Sequence, residues 1–196
     1  MAGGIMEYNG GAIVAMTGKD CVGIATLGVQ LQTVATDFNK IFSMHDKLMV
    51  GLTGLGSDVQ TMCVVLAACE ERDISPKTFM NMVCSMQYAK RFGPLFANPV
   101  VAGLDAEDKP FISASDVVGA PVFTDDFVVS GTCTENLYGT CESLYEKDME
   151  PDQLFETLAQ CLLAAVDRDA LSGWGGVVHI ITPTGVSSKT LKARQD

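Results

Sequence analysis

Asp167 and Asp169 stand in the stretch Ala165-Val-Asp-Arg-Asp-Ala-Leu-Ser-Gly-Trp-Gly175, at the C-terminal end of a helical pattern. That is the negative end of the helix dipole, where an anion is locally unfavourable. Their presence predicts a compensating partner: Arg168, a backbone amide or a cation. Ser172-Gly173 then turns the chain into an apolar strand. Gly51-Leu-Thr-Gly-Leu-Gly56 has the look of a phosphate cradle, but it lacks the Gly-Lys-Ser/Thr ending of a nucleotide loop. A tight passage from strand to helix explains it better. His45 lies in a polar turn and His179 in an apolar strand, neither with the Ser or Cys context of a nucleophile elbow. Both read as structural. The acid pairs Asp125-Asp126 and Glu70-Glu71 read as solvated edges. The seven cysteines (21, 63, 69, 84, 133, 141, 161) contain no Cys-x-x-Cys pair, and two histidines cannot complete a zinc site around them. They read as reduced core thiols in a reducing compartment.

These residues must be positioned by the elements around them. Gly11 to Met16 and Cys21 to Ala25 are short apolar runs joined by Thr17-Gly-Lys-Asp20, the pattern of a β-hairpin. Val29 to Thr36 alternates imperfectly, and Lys40-Ile-Phe and Leu48 to Thr53 predict two further strands. A helix follows from about Asp58 to Arg72, with Ser57 or Asp58 as its cap. The next starts at Ser75-Pro76, cap and first helical residue, and stops near Arg91-Phe-Gly-Pro94. Its stripe of Phe79, Met82, Val83 and Met86 reads as core packing, with Phe79, Met80, Met82 and Met86 also expected to supply apolar surface for partners. Strands return at Val100 to Leu104, Phe111 to Ala114 and Phe127 to Ser130. A second helix pair covers Thr134 to about Glu146 and Glu150 to about Asp169, the latter lined by Leu154, Leu158, Leu162 and Ala165. Gly176 to Ile181 and Val186 to Leu191 close the chain.

Strands joined by short turns make antiparallel sheets, and two helix pairs can each cover one of two sheets. The expected fold is α+β, a four-layer α-β-β-α sandwich forming a single domain over residues 1–196. Composition narrows the function. The chain has 196 residues, 47% hydrophobic and 19% charged, with 13 Lys+Arg against 24 Asp+Glu and a net charge of −11. Such a charge disfavours nucleic acid and anionic membrane as partners. The longest apolar run, Met62 to Cys69, is far short of the ~18 residues a spanning helix needs. The start shows no secretory signal pattern. A soluble, intracellular, acidic protein is expected.

Arg168-Asp-Ala-Leu-Ser-Gly173 before an apolar strand resembles the Asp-x-x-Ser-Gly turn of proteasome beta-type subunits. The likeness runs along nearly the whole chain: Tyr8-Asn-Gly-Gly11, Thr36-Asp-Phe-Asn-Lys-Ile-Phe42, Gly51 to Leu55, Lys90-Arg-Phe-Gly-Pro94, Asp126 to Thr132, Met149-Glu-Pro-Asp152 and Leu191 to Asp196. Within that family it is nearest a non-catalytic branch. The resemblance implies the N-terminal-nucleophile hydrolase fold. Active members use an N-terminal threonine, freed from a propeptide, whose own amine is the base. The resemblance places Lys40 at the site lysine, Gly54 at the oxyanion glycine, Asp169 and Ser172 at the second aspartate and its serine neighbour, and Thr132 at a further site serine. The nucleophile position falls on Gly11, which has no hydroxyl. The family's Ala-Asp-x-Arg stretch after the second strand is absent, since Ala25-Thr-Leu-Gly28 passes straight on. The chain is also short of the family pattern between Cys63 and Asp73.

The resemblance therefore implies a non-catalytic structural beta subunit of the eukaryotic core particle, serving ATP- and ubiquitin-dependent degradation in cytoplasm and nucleus. Implied partners are other beta-type subunits in a seven-membered ring, alpha-type subunits, a second beta ring and assembly chaperones. No cofactor is required. The carbonyls of Val166, Asp169 and Ser172 could hold a structural Mg2+, against the plainer reading of a hydrated turn. The alternatives are an active hydrolase processed to a threonine, of which Thr17 is nearest, and a free-standing acidic scaffold.

Overall fold

The computed structural model describes residues 4–29, 38–68 and 74–193. After a short 3-10 turn (Ile5–Glu7), strands β1 (Ala12–Gly18) and β2 (Cys21–Val29) form the predicted hairpin. Gly18 pairs with Cys21, so the turn is tighter than expected and Asp20 takes a positive φ of 53°. β3 (Ile41–His45) and β4 (Leu48–Gly54) lead into helices α1 (Gly56–Ala67) and α2 (Pro76–Ala89). β5 (Ala97–Leu104), β6 (Pro110–Ser115), β7 (Pro121–Thr124) and β8 (Phe127–Gly131) follow. Helices α3 (Thr134–Leu144) and α4 (Pro151–Val166) precede β9 (Ser172–Thr182) and β10 (Gly185–Leu191). Most of the strand expected over Val29 to Thr36, and the end of the first helix near Arg72, lie outside the described residues.

The strands form two five-stranded antiparallel sheets, ordered β10-β9-β2-β1-β8 and β3-β4-β5-β6-β7. Three apolar clusters glue four layers. Ala12, Val14 and Met16 of β1 face α3 and α4, meeting Leu137, Leu154, Leu158 and Leu162. Ile13 and Ala15 face the other sheet, meeting Val100, Ala102 and Ile112. Leu48, Val50 and Leu52 of β4 face α1 and α2, meeting Val59, Met62, Phe79 and Val83. Strands covered on both faces need apolar residues at every position. That is why β1 and β4 read as unbroken apolar runs rather than alternating ones.

Ser75 caps α2 as expected: its hydroxyl accepts the Thr78 amide at 3.4 Å, with Pro76 at the first helical position. The cap expected at α1 is corrected. The helix starts at Gly56, and Asp58 Oδ2 accepts the Phe96 amide (2.8 Å) instead of capping its own helix. The α2 face also differs. Phe79, Met80, Val83 and Gln87 are buried, while Met82 and Met86 are only partly covered. Gln87 is admitted because its amide donates to the carbonyls of Ala97 and Asp116, and its carbonyl oxygen accepts the Ser115 hydroxyl at 2.7 Å. Phe79 and Met80 therefore offer no partner surface. The large apolar side chains left exposed include Phe92 (92% exposed), Val64 (70%), Tyr88 and Val122. β7, Pro121-Val-Phe-Thr124, is an exposed, proline-led edge strand too short for any periodicity to mark it in the sequence, although it carries Val122 and Phe123. Cys21, Cys84, Cys133, Cys141 and Cys161 are thiols, not disulfides. No helix among the described residues is long and apolar enough to cross a membrane.

Candidate functional site

The site is assembled from element ends at one end of the sandwich. Gly11 precedes β1, Lys40 precedes β3, Gly54 ends β4, Thr132 follows β8, and Asp169 and Ser172 bound the turn from α4 into β9. Strands present their ends together only when the sheets are stacked, so no local stretch of sequence contains this site.

Asp169 is the hub of its own half. Its Oδ2 accepts the hydroxyls of Thr132 and Ser172, both at 2.7 Å, and Oδ1 accepts the Leu171 amide at 3.0 Å. The carboxylate at a helix C-terminus is thus compensated by two hydroxyls and a backbone amide; the amide is one of the partners expected from sequence. The Thr132 amide donates to the Gly11 carbonyl at 3.0 Å, and the Gly11 amide points back to Thr132 Oγ1 at 3.4 Å. This ties the start of β1 to the end of β8.

Lys40 is buried, and its ammonium donates to the Leu27 carbonyl at 2.7 Å. Burial pushes its pKa down to about 8. β2 runs unbroken through Thr26 and Leu27, and Thr26 Oγ1 donates to the Ala12 carbonyl at 3.1 Å. Gly11 has φ +152°, a conformation that side chains resist, and a Cβ there would land on the Lys40 ammonium and lie 2.6 Å from Lys40 Cε. The space a nucleophile side chain would use is therefore held by Lys40.

Gly11, Gly54 and Thr132 share the wall of a cleft of about 330 Å3 with Met6, Glu7, Thr53, Asn98 and Cys133. The structure brings all six predicted positions to this one region, four in the cleft wall or on Gly11 and two through Asp169. It also adds residues that sequence reading missed. Thr53 and Ser130 share a buried hydroxyl contact (2.7 Å) between the sheets. Cys133 is buried beside Asp169, and its thiol pKa is pushed up to about 12 by burial first and the carboxylate second. Thr17, expected in the hairpin turn, is the next-to-last residue of β1, paired with Val22, its hydroxyl donating to the Asp125 carbonyl at 2.6 Å. His45 and His179 serve local contacts, His45 Nδ1 accepting the Lys47 amide and His179 Nδ1 meeting the Ser188 hydroxyl.

The Proteasome subunit family model matches residues 7–181. This chain belongs to the proteasome subunit family. It is 54% identical to a proteasome subunit beta type-3 of Picea mariana over 98% of this chain and 99% of that protein. Identity is 52% to the beta type-3 subunit of Dictyostelium discoideum and 50% to that of Drosophila melanogaster, with the same coverage. The two antiparallel sheets and four helices are those of the family's N-terminal-nucleophile hydrolase sandwich.

The three carbonyls named for a cation all lie in the α4–β9 turn. The Val166 carbonyl already accepts the Asp169 amide at 3.2 Å, and the Ala165 carbonyl accepts those of Asp167 and Arg168. An all-oxygen donor set at the negative end of a helix suits a hard cation. The Asp169 carboxylate is occupied by two hydroxyls and the Leu171 amide, so a cation in this turn would rest on backbone carbonyls alone. Among the described residues, no cluster of three His, Cys, Asp or Glu side chains could hold a metal.

Proposed function

We propose that this chain is a non-catalytic structural beta subunit of the proteasome core particle. The observation that carries this reading is position 11. A glycine stands there with the Lys40 side chain in the space a nucleophile would need. With no hydroxyl, acyl transfer cannot begin. Its work is to complete a seven-membered beta ring between two neighbours, facing alpha-type subunits on one side and a second beta ring on the other, with chaperones assisting assembly. Exposed Phe92, Val64, Tyr88 and Val122 are the apolar residues such contacts would cover. The role places the chain in cytoplasm and nucleus, within ATP- and ubiquitin-dependent degradation. A structural Mg2+ on the carbonyls of Val166, Asp169 and Ser172 belongs to the same proposal. Processing to Thr17 is disfavoured, because cleavage there would remove most of β1 from between β2 and β8.

Intact-mass analysis of the chain taken from assembled core particles tests this. An uncleaved start supports the reading, and a mature N-terminal threonine overturns it. Turnover of fluorogenic peptides by the lone chain, abolished by an inhibitor directed at N-terminal threonine, would also overturn it.

A further inference from the structure

We infer that residues 4–9 are a docked strap: Asn9 caps helix α1 from outside that helix, and Met6 with Glu7 closes the cleft beside Gly54. Helix α1 supplies no cap of its own. Leu55 occupies the N-cap position without a side-chain bond, and the Asp58 carboxylate is spent on the Phe96 amide. The orphan amide of Gly56 is met instead by Asn9 Oδ1 at 3.0 Å, across 47 residues of chain. Asn9 thereby pins the first turn of α1, whose Val59, Met62 and Leu66 are buried in the helix-to-sheet core.

The rest of the strap lies over the cleft. Met6 Cε sits 3.1 Å from where a Gly54 Cβ would be, and Met6 and Glu7 both line the 330 Å3 space. The strap carries its own local order, with the Glu7 amide on the Gly4 carbonyl at 2.9 Å and the Gly4 amide on Glu7 Oε2 at 3.2 Å. It leaves through Gly10, where any Cβ would collide with the Leu171 carbonyl. Met6 thus stands against the Gly54 backbone, on the side of the cleft from which a peptide would reach it. Closure by the strap is independent of the missing hydroxyl at Gly11, and makes the segment ahead of Gly11 a working part of the fold.

Hydrogen–deuterium exchange on core particles assembled with this chain tests the cap. Asn9→Ala should speed exchange at Gly56 to Val59 about fivefold, and Asn9→Asp, which keeps the acceptor, should restore it. Unchanged exchange in Asn9→Ala overturns the cap. If Asn9→Ala does not assemble, Asn9→Gln, which displaces the same amide by one methylene, is measured in its place. Iodoacetamide labelling of Cys133, buried in the cleft wall, tests the closure. Met6→Ala with Glu7→Ala should raise its labelling rate severalfold at constant pH, and an unchanged rate overturns it. Unchanged exchange and labelling in a chain whose intact mass shows an uncleaved start overturn the strap and leave the non-catalytic reading standing, so the two failures are distinct.

Discussion

Burying an ammonium is costly, and among the described residues the Leu27 carbonyl is the hydrogen-bond acceptor that offsets it at Lys40. Its folded pKa, about 8 against an ordinary 10.5, fixes the sign of the pH effect. Below about pH 8 both states hold the proton and the folded state carries the full penalty. Between about 8 and 10.5 the unfolded state keeps a proton the folded state has released, so this contribution to stability rises with pH. Lys40→Met should therefore melt higher than the parent at pH 7, with an advantage that shrinks to nothing by pH 10.5. The ceiling is about 3 kcal/mol, less about 1 kcal/mol for the unpaired Leu27 carbonyl. A pH-independent difference in unfolding midpoints would contradict this. At Gly11 the expectation runs the other way. Gly11→Ala should cost about 1–3 kcal/mol, from the positive φ and from collision with Lys40. Gly11→Thr should be at least as costly and should yield no peptidase activity in a fluorogenic assay.

The turn between α4 and β9 shows how one side chain can hold three elements. Asp169 gathers Thr132 from the end of β8, Ser172 from the start of β9 and the Leu171 amide from the turn itself. Asp169→Ala leaves two hydroxyls and an amide short of an acceptor, and should cost about 2–4 kcal/mol. Thr132→Val and Ser172→Ala should each cost about 1 kcal/mol. Unfolding midpoints, with the fraction of chain entering core particles, measure this. An Asp169→Ala chain that assembles normally and melts unchanged would show the hub to be trivial. The opposite end of β1 is fixed in the same manner, Thr17 Oγ1 bonding the Asp125 carbonyl and meeting Tyr145 Oη at 3.0 Å.

Across the whole molecule, apolar residues remain outside after three cores are filled. Arg91 stacks over Tyr88 at 4.5 Å and over Phe92 at 4.6 Å, leaving Phe92 almost fully exposed at the tip of the α2 loop. From Ile74 to Leu104 the chain has Lys77, Lys90 and Arg91 and no acid, although its net charge is −11. Aromatic and arginine side chains of this kind dominate binding when covered and promote association when bare. Expressed alone, the chain should aggregate, and co-expression with other beta-type subunits should restore solubility. Phe92→Ser with Val64→Ser should reduce aggregation of the lone chain and lower its incorporation into core particles. Equal incorporation, measured by mass spectrometry of purified particles, would show that these residues are not interface residues.

Local sequence determined the layers, because apolar period and turn chemistry act over a few residues. Unbroken runs in β1 and β4, the Ser75-Pro76 start of α2, the Leu154-Leu158-Leu162 stripe of α4 and the missing hydroxyl at Gly11 were all legible there. The tertiary structure decided what depends on distant partners. It assigned the α1 cap to Asn9 rather than Ser57 or Asp58, put Met80 rather than Met82 inside, and added β7 at an exposed edge. It also set Lys40 against a carbonyl and in the space beside Gly11. Hydrogen bonds such as Gly11 to Thr132 span 121 residues, and no window of sequence encodes which polar groups will meet when two sheets close. Buried polar groups must find partners wherever the packed layers bring them, so their pairing is a property of the assembled fold.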